Sequence, residues 1–326
     1  NKYSYWDSKG SVGSVKWQLL KPDSNNKWLD QGESSDYDAL MLLGSKETKR
    51  SRKESKKTLF KTYSTGVSTN RDRVVYDSDK DSLGTRVQEF SELYNNEVDR
   101  YETQRPADLD NFLTYDKLKW SRNLKRDLRN GKRITYDESN IRNALYRPYT
   151  KQWVYFAEII VDERGKYDLF LPTSEAESEN IIICVSGIGS NKPFHVLVCA
   201  NLPSLDLLEK TQCFPFYTYD EDSGNRSENI TDWALNEYRT HYKDAKITKW
   251  DIFYSVYALL HHPTYRQHYA ANLKRELPRI PFAQKFWEFV EAGKKLATLH
   301  VEYETQKEYP LEREESKSAK LNFRVE

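Results

Sequence analysis

Cysteine is scarce in this 326-residue chain. Cys184, Cys199 and Cys213 are odd in number, widely spaced and free of any C-x-x-C pair, which argues against a disulfide framework and against a structural zinc site. There is no signal peptide and no apolar run of membrane-spanning length, so no membrane partner is implied and the expected location is the cytoplasm. Asn225-Arg226-Ser227 and Asn229-Ile230-Thr231 match the glycosylation sequon, but with nothing to deliver them to a secretory compartment they read as chance matches in a polar loop. An excess of either charge is lacking too. Lys and Arg number 51 against 50 Asp and Glu, a net charge of +1, so the overall balance does not advertise a polyanionic partner and any basic surface must arise by segregation. An initiator Met is absent, and Asn1 hints at a fragment or a processed piece.

Several catalytic constellations are missing as well. An S-adenosylmethionine (AdoMet)-dependent amino-methyltransferase needs an Asn/Asp-Pro-Pro-aromatic loop and a Gly-rich strand turn, and neither occurs. Gly187-Ile188-Gly189 lacks the third glycine and the acidic partner of a dinucleotide fingerprint. Lys192 follows that pair without the Gly-Lys-Ser/Thr end of a phosphate loop. A metal-dependent nuclease motif could be drawn through Asp23, Glu54 and Lys56, or around Glu315-Ser316-Lys317. Such a motif needs its carboxylate and lysine on a buried strand, and these segments have nothing apolar to bury. His261-His262 and His195 stand without Cys or carboxylate at ligand spacing and read as packing or capping residues.

What is present is aromatic. Hydrophobic residues make up only 37% and mean hydropathy is -0.88, yet 23 Tyr and 8 Trp supply side chains large enough to build a core, so the chain reads as globular rather than disordered. Residues 1–40 have the weak periodicity of short strands and turns. Residues 46–61 carry eight Lys or Arg against two Glu, either a solvated helix face or mobile loop or an arm that contacts phosphates. In 116–133, Trp120, Leu124 and Leu128 recur every four residues and Gly131 supplies a stop, which predicts a helix. Its other face carries Arg122, Lys125, Arg126 and Arg129. Residues 153–161, 181–186 and 195–200 read as strands, the last two around the loop GIGSNKPF. Trp250, Phe253, Tyr257 and Leu260 mark a helix ending near Pro263, and a second helix covers about 284–303. Between them LKRELPRIPF is expected to run extended because of its prolines. Strands early and helices late predict an α+β class, with mixed sheets in the N-terminal and middle parts and a helical C-terminal part.

Six segments, in this order, carry a resemblance: TYSTGVSTNRDRVVY (62–76), KWSRNLKRDL (119–128), NALYRPYTKQWVYF (143–156), ICVSGIGSNKPFHVL (183–197), TQCFPFY (211–217) and YALLHHPTYRQHYAANLKRELPRIPF (257–282). Together they resemble the C-terminal specificity region of type ISP restriction-modification enzymes, single polypeptides that join nuclease, helicase-like motor, adenine methyltransferase and target-recognition domain. The resemblance implies recognition of a target sequence on double-stranded DNA and no catalytic activity in this fragment. AdoMet, ATP and Mg would serve the parent enzyme, and the partners would be duplex DNA and the upstream methyltransferase domain of the same chain. It divides the chain into a seam with that domain or first strands at 1–40, a target-recognition domain at 41–304 with one lobe or two (a break near 100–116), and an edge strand or tail at 305–326. The alternative within the same enzyme is an interdomain scaffold without base contacts.

Base readout favours Arg on guanine and Asn or Gln on adenine. Asn70, Arg71 and Arg73 in TNRDR form either a DNA-facing turn or a structural ion pair between Arg71 and Asp72. Arg147, flanked by aromatics, either stacks inside the fold or reaches DNA. Lys192 sits in a glycine-bearing loop where an uncluttered backbone would admit a phosphate, or in a packed hairpin loop. Arg266, Lys274, Arg275 and Arg279 form either a phosphate clamp or the neutralising end of a helix. Gln212 and the loop 220–226 are where variation that sets the target is expected.

Overall fold

The computed structural model describes residues 2–17, 19, 21, 34–50, 57–116, 118–220, 224–308 and 310. Strand Ile182–Val185 is buried at every position, and so is Val196–Cys199, the mark of strands covered on both faces. They pair antiparallel, with Ile183 opposite Val198 and Cys184 opposite Leu197. Gln212–Pro215 and Ser64–Thr65 extend them into a four-stranded antiparallel sheet. Side chains alternate across a strand. Ile182, Cys184, Leu197, Cys199 and Cys213 therefore enter one hydrophobic cluster, and Ile183, Val185, Val196, Val198 and Phe214 enter another. The sheet is a wall shared by two cores.

The first core is closed by a second sheet, in the order Tyr76–Asp77, Thr150–Tyr155, Ile141–Arg147, Leu202–Pro203, whose last pairing is parallel. Over it lies the helix Lys80–Gln104, which buries Leu83, Val87, Phe90, Tyr94 and Val98 on one stripe and starts at Asp79, whose carboxylate accepts from the Ser82 amide at 2.7 Å. This helix, the longest among the described residues, is hidden in the sequence because its other faces are charged and its apolar residues make a single narrow stripe. The basic helix is there but covers only Arg122–Arg129 of the expected 116–133, starting after the cap at Ser121. Arg122–Arg129 buries Leu124 and Leu128, with Trp120 just ahead of it, and is capped by Ser121, which accepts from the Leu124 amide at 3.1 Å. The stretch 100–116 adds Tyr101, Leu109, Phe112 and Leu113 to this first core.

The second core lies under the helices Asp232–Tyr242, Lys249–His261 and Phe286–Val301. Lys249–His261 opens with a capping box between Thr248 and Asp251 and is followed at once by a helix whose first residue is Pro263, where proline is tolerated. Gly293 lets the last helix close on it, for a Cβ there would lie 1.9 Å from the Tyr254 carbonyl oxygen.

Three expectations need correction. The described residues of 1–40 hold the helical segments Lys2–Lys9, Val12–Ser14 and Ser35–Ala39 with irregular chain beside them and no strand, and the first strand among the described residues is Met41–Leu42. That strand pairs with Arg279–Ile280, the two residues that Pro278 and Pro281 hold extended, whereas Ala270–Leu273 is helical. The strand expected over 153–161 ends at Tyr155. The chain then turns, with Ile159 in a left-handed conformation at φ 69°, because the carbonyls of that turn are bonded by a buried arginine instead of a neighbouring strand. Helices are not confined to the end, yet the class is α+β with a helical C-terminal part. Residues 22–33, 51–56, 221–223 and 311–326 lie outside the described residues, and with them Asp23, Glu54, Lys56, Glu315-Ser316-Lys317 and most of the tail. Among the described residues no helix is long and apolar enough to cross a membrane.

Candidate nucleic-acid interface

The turn that carries Asn70, Arg71 and Arg73 borders a cleft of about 890 Å³ lined also by Tyr115, Lys119, Trp120 and Asp206. Asn70 takes a left-handed conformation at φ 55°, which asparagine tolerates, and its amide donates to Asp162 at 2.6 Å. Arg71 is 3% exposed. Its guanidinium donates to the Ile160 carbonyl at 2.5 Å and to the Ser121 hydroxyl at 2.9 Å, and lies 3.8 Å from Asp162. The ion pair is thus with Asp162 rather than with the neighbouring Asp72, and Arg71 ties the 159–162 turn to the cap of the basic helix. Ser121 also donates to Asp162, so one hydroxyl serves both the cap and the ion pair. Arg73 and Lys119 are exposed and have no ionic partner among the described residues. Lys119 stands next to Trp120, which is buried, and that neighbour was the signal available for its outward placement.

Asp206 also lines a second hollow of about 560 Å³, with Arg147, Asn191, Lys192, His195 and Glu209, so the two adjoin. Arg147 stacks over the Tyr146 ring at 3.9 Å and donates to the Tyr146 carbonyl at 2.8 Å and to Ser204 at 3.3 Å, with Asp72 3.9 Å away. Its planar fork is taken up within the fold.

The loop between Ile182–Val185 and Val196–Cys199 rims this hollow. Gly187 is pressed on the chain, a Cβ there falling 2.1 Å from the Lys210 carbonyl oxygen, and Gly189 is left-handed at φ 72°. The Gly187 and Gly189 amides donate to the carbonyls of Glu209 and Lys274 at 3.0 and 3.2 Å, which leaves neither for a phosphate. The glycines therefore serve close packing, and the expected uncluttered backbone is not there. Lys192 itself is exposed with no side-chain partner among the described residues. Lys274 is exposed next to the loop, and Arg266 donates to the Phe194 carbonyl at 2.5 Å. Lys210, not anticipated, donates to the Gly189 carbonyl at 2.8 Å. Arg275 is exposed and interacts with other groups. Arg279 braces the N-terminal segment, bonding Glu276 at 3.0 Å and the Asp38 carbonyl at 2.8 Å. The structure thus gathers Asn70, Arg71 and Arg73 at one hollow and Arg147 and Lys192 at the next. Arg266 and Lys274 stand around the loop, while Arg279 is tied elsewhere.

Other candidates resolve as internal contacts. Lys49, in the described part of 46–61, donates to Gln212 at 3.1 Å, and Gln212 in turn donates to the Lys210 carbonyl at 2.7 Å. Asn229 is fully buried, its amide donating to the Thr62 and Pro215 carbonyls at 2.9 and 2.8 Å. The three cysteines, distant in sequence, meet within the first core as free thiols, Cys184 lying 3.6 Å from Cys199 and 3.8 Å from Cys213. Among the described residues no group of His, Cys, Asp or Glu is arranged to hold a metal ion.

Comparison with known proteins bears on this geometry. A family model described as the Type ISP C-terminal specificity domain matches residues 58–326. The cryo-EM structure of a DrdV–DNA complex contains a chain 35% identical that overlays on 95% of this one with a TM-score of 0.85. A nuclease-deletion mutant of the Type ISP restriction-modification enzyme LlaGI, in complex with a DNA substrate mimic, is 29% identical over 95% of this chain, with a TM-score of 0.78. The ATP-dependent Type ISP restriction-modification enzyme LlaBIII, bound to DNA, is 26% identical over 89%, with a TM-score of 0.75. This chain spans 30%, 27% and 18% of those three chains, respectively. Among curated proteins no sequence matches it.

Proposed function

The chain belongs to the family of Type ISP C-terminal specificity domains, and from that membership we propose that it reads the sequence of double-stranded DNA by direct contact, as the target-recognition part of a longer restriction-modification enzyme. In that enzyme adenine methylation and ATP-driven cleavage, with their AdoMet, ATP and Mg, belong to other parts of the polypeptide. The observation that carries the reading is the overlay of nearly the whole chain on a chain solved in a complex with DNA. The adjoining hollows and their rim support it, since Arg73, Lys119, Lys192 and Lys274 present cations that form no ion pair among the described residues. Such cations gain most from releasing the counterions condensed on phosphates. Arg71, Arg147 and Arg266 act instead as braces that hold the rim in shape, while Arg279 braces the N-terminal segment.

One observation favours the second reading, an interdomain scaffold. Those four guanidiniums are committed to internal carbonyls and carboxylates, and the helix Phe286–Val301 exposes Trp287 and Leu299 at 45% and 46%. Selection from a random duplex pool separates the two. A direct reader enriches one sequence, and Arg73→Glu with Lys192→Glu abolishes the enrichment. A scaffold enriches nothing and is indifferent to both changes. In salt titrations by fluorescence anisotropy, Arg73→Ala or Lys192→Ala should each lower the slope of log affinity against log salt by about one.

A further inference from the structure

We propose that Ile188 is a wedge that enters the base stack of bound duplex DNA from the turn 187–190, a role that rests on the DNA-reading function above. The side chain is 50% exposed at a corner of the turn 187–190, which the Ser190 amide closes on the Gly187 carbonyl at 3.2 Å. Behind it the Gly187 amide bonds Glu209 and the Gly189 amide bonds Lys274. The Gly189 carbonyl accepts from Lys210 at 2.8 Å, and the Ser190 hydroxyl donates to Glu209 at 2.8 Å. The close approach of Gly187 to Lys210 and the left-handed turn at Gly189 leave Ile188 as the one side chain between two backbone positions that are locked in place. A branched aliphatic group in so rigid a turn still keeps half of its surface in water. Such a rigid presentation does remove the ordering cost of binding.

The surroundings select the partner. Lys192 is exposed in the same loop, Lys274, whose carbonyl accepts from the Gly189 amide, is exposed as well, and the Lys210 ammonium lies on the Gly189 carbonyl, while the Glu209 carboxylate accepts from the Ser190 hydroxyl and the Asn191 amide. Exposed hydrocarbon in a segment that also presents lysines matches a polymer whose outside is phosphate and whose inside is stacked, apolar base faces. Isoleucine is among the residues that proteins insert between base steps, partly unstacking them and kinking the duplex. An apolar protein surface, the competing partner for an exposed isoleucine, offers nothing to the lysines of this segment.

The test measures binding of the intact 326-residue chain, by anisotropy at low salt, to duplexes of random sequence that are either fully paired or carry one abasic gap. A gap removes the unstacking cost that a wedge must otherwise meet and lets the side chain leave water. The unsubstituted chain should therefore prefer the gapped duplex by about tenfold. Ile188→Ser should bind both duplexes alike, Ile188→Leu should keep the preference, and Lys192→Ala should weaken both duplexes equally with the preference intact. Melting temperatures equal to that of the unsubstituted chain confirm that the variants fold. A chain with no preference for the gap, or a preference unchanged in Ile188→Ser, overturns the wedge and leaves the DNA-reading function standing. Absence of salt-sensitive binding to either duplex overturns both.

Discussion

Replacing Arg71 by methionine should destabilise the chain by about 3 kcal/mol and leave DNA contacts to other residues. The magnitude follows from what the guanidinium holds. It bonds the Ile160 carbonyl at 2.5 Å and Ser121 at 2.9 Å and lies 3.8 Å from Asp162, with the two charged side chains 1% and 8% exposed. Burial works against its charge and Asp162 supports it. Breaking a buried ion pair from one side costs about 3–5 kcal/mol, because the other charge is left without its partner. Two features soften the loss. Asp162 keeps donors from Ser121 and from Asn70, and methionine retains hydrocarbon near the Phe90 ring, over which Arg71 lies at 5.8 Å. Thermal unfolding followed by circular dichroism should then show a midpoint lower by about 6 °C, at about 2 °C per kcal/mol for a large domain. Arg71→Met combined with Asp162→Leu should recover part of the loss, since an apolar pair leaves no orphaned charge. A variant that melts within about 1 °C of the unsubstituted chain yet loses tenfold in duplex affinity would refute the reasoning and make Arg71 a DNA contact.

Three further outcomes are expected. Burial foremost, then the neighbouring His300 and Arg266, holds the His261 imidazole down at about 4 from its ordinary 6.5. Its folded value is the lower one, so the unfolded chain takes up the proton first as pH falls. The contribution is complete above about pH 6.5 and fades toward 4, amounting to on the order of 1 kcal/mol by pH 5 once discounted for partial contact with water, and His261→Phe should flatten that acid limb in melts at pH 5 and 7. Asn229→Ala removes the bonds to the Thr62 and Pro215 carbonyls and the acceptor of the Thr62 amide, which should cost about 3 kcal/mol in urea unfolding; a loss under about 1 kcal/mol would show that the bridge contributes little. Gly293→Ala places a Cβ 1.9 Å from the Tyr254 carbonyl oxygen, and the strain should outweigh the gain in helix propensity and lower the urea midpoint by an equivalent of about 2 kcal/mol.

Legibility followed the range of the physical signal. Trp120, Leu124 and Leu128 at helical spacing, and the unbroken apolar runs around Ile183 and Leu197, are local patterns and point to the elements that form. Lys80–Gln104 carries an equally regular stripe in Leu83, Val87, Phe90, Tyr94 and Val98, so the signal was present and was obscured by the charge around it. Most of the DNA-contact candidates are arginines, several of them in turns. Turns are also where carbonyls lack strand partners, and Arg71, Arg266 and Arg279 supply those partners. The lysines of the same segments, flexible and strongly hydrated, stay at the surface.

The amino-acid order alone determined the α+β class, the basic helix, the two strands flanking the glycine loop and the family to which the chain belongs, because each rests on contiguous residues. Folding decided what those residues face. It set one sheet between two cores, brought Cys184, Cys199 and Cys213 together, chose Asp162 over Asp72 for Arg71, and left Ile188 and Lys192 outward. Such pairings join segments far apart in the chain, and their partners depend on a topology that no window of neighbouring residues contains.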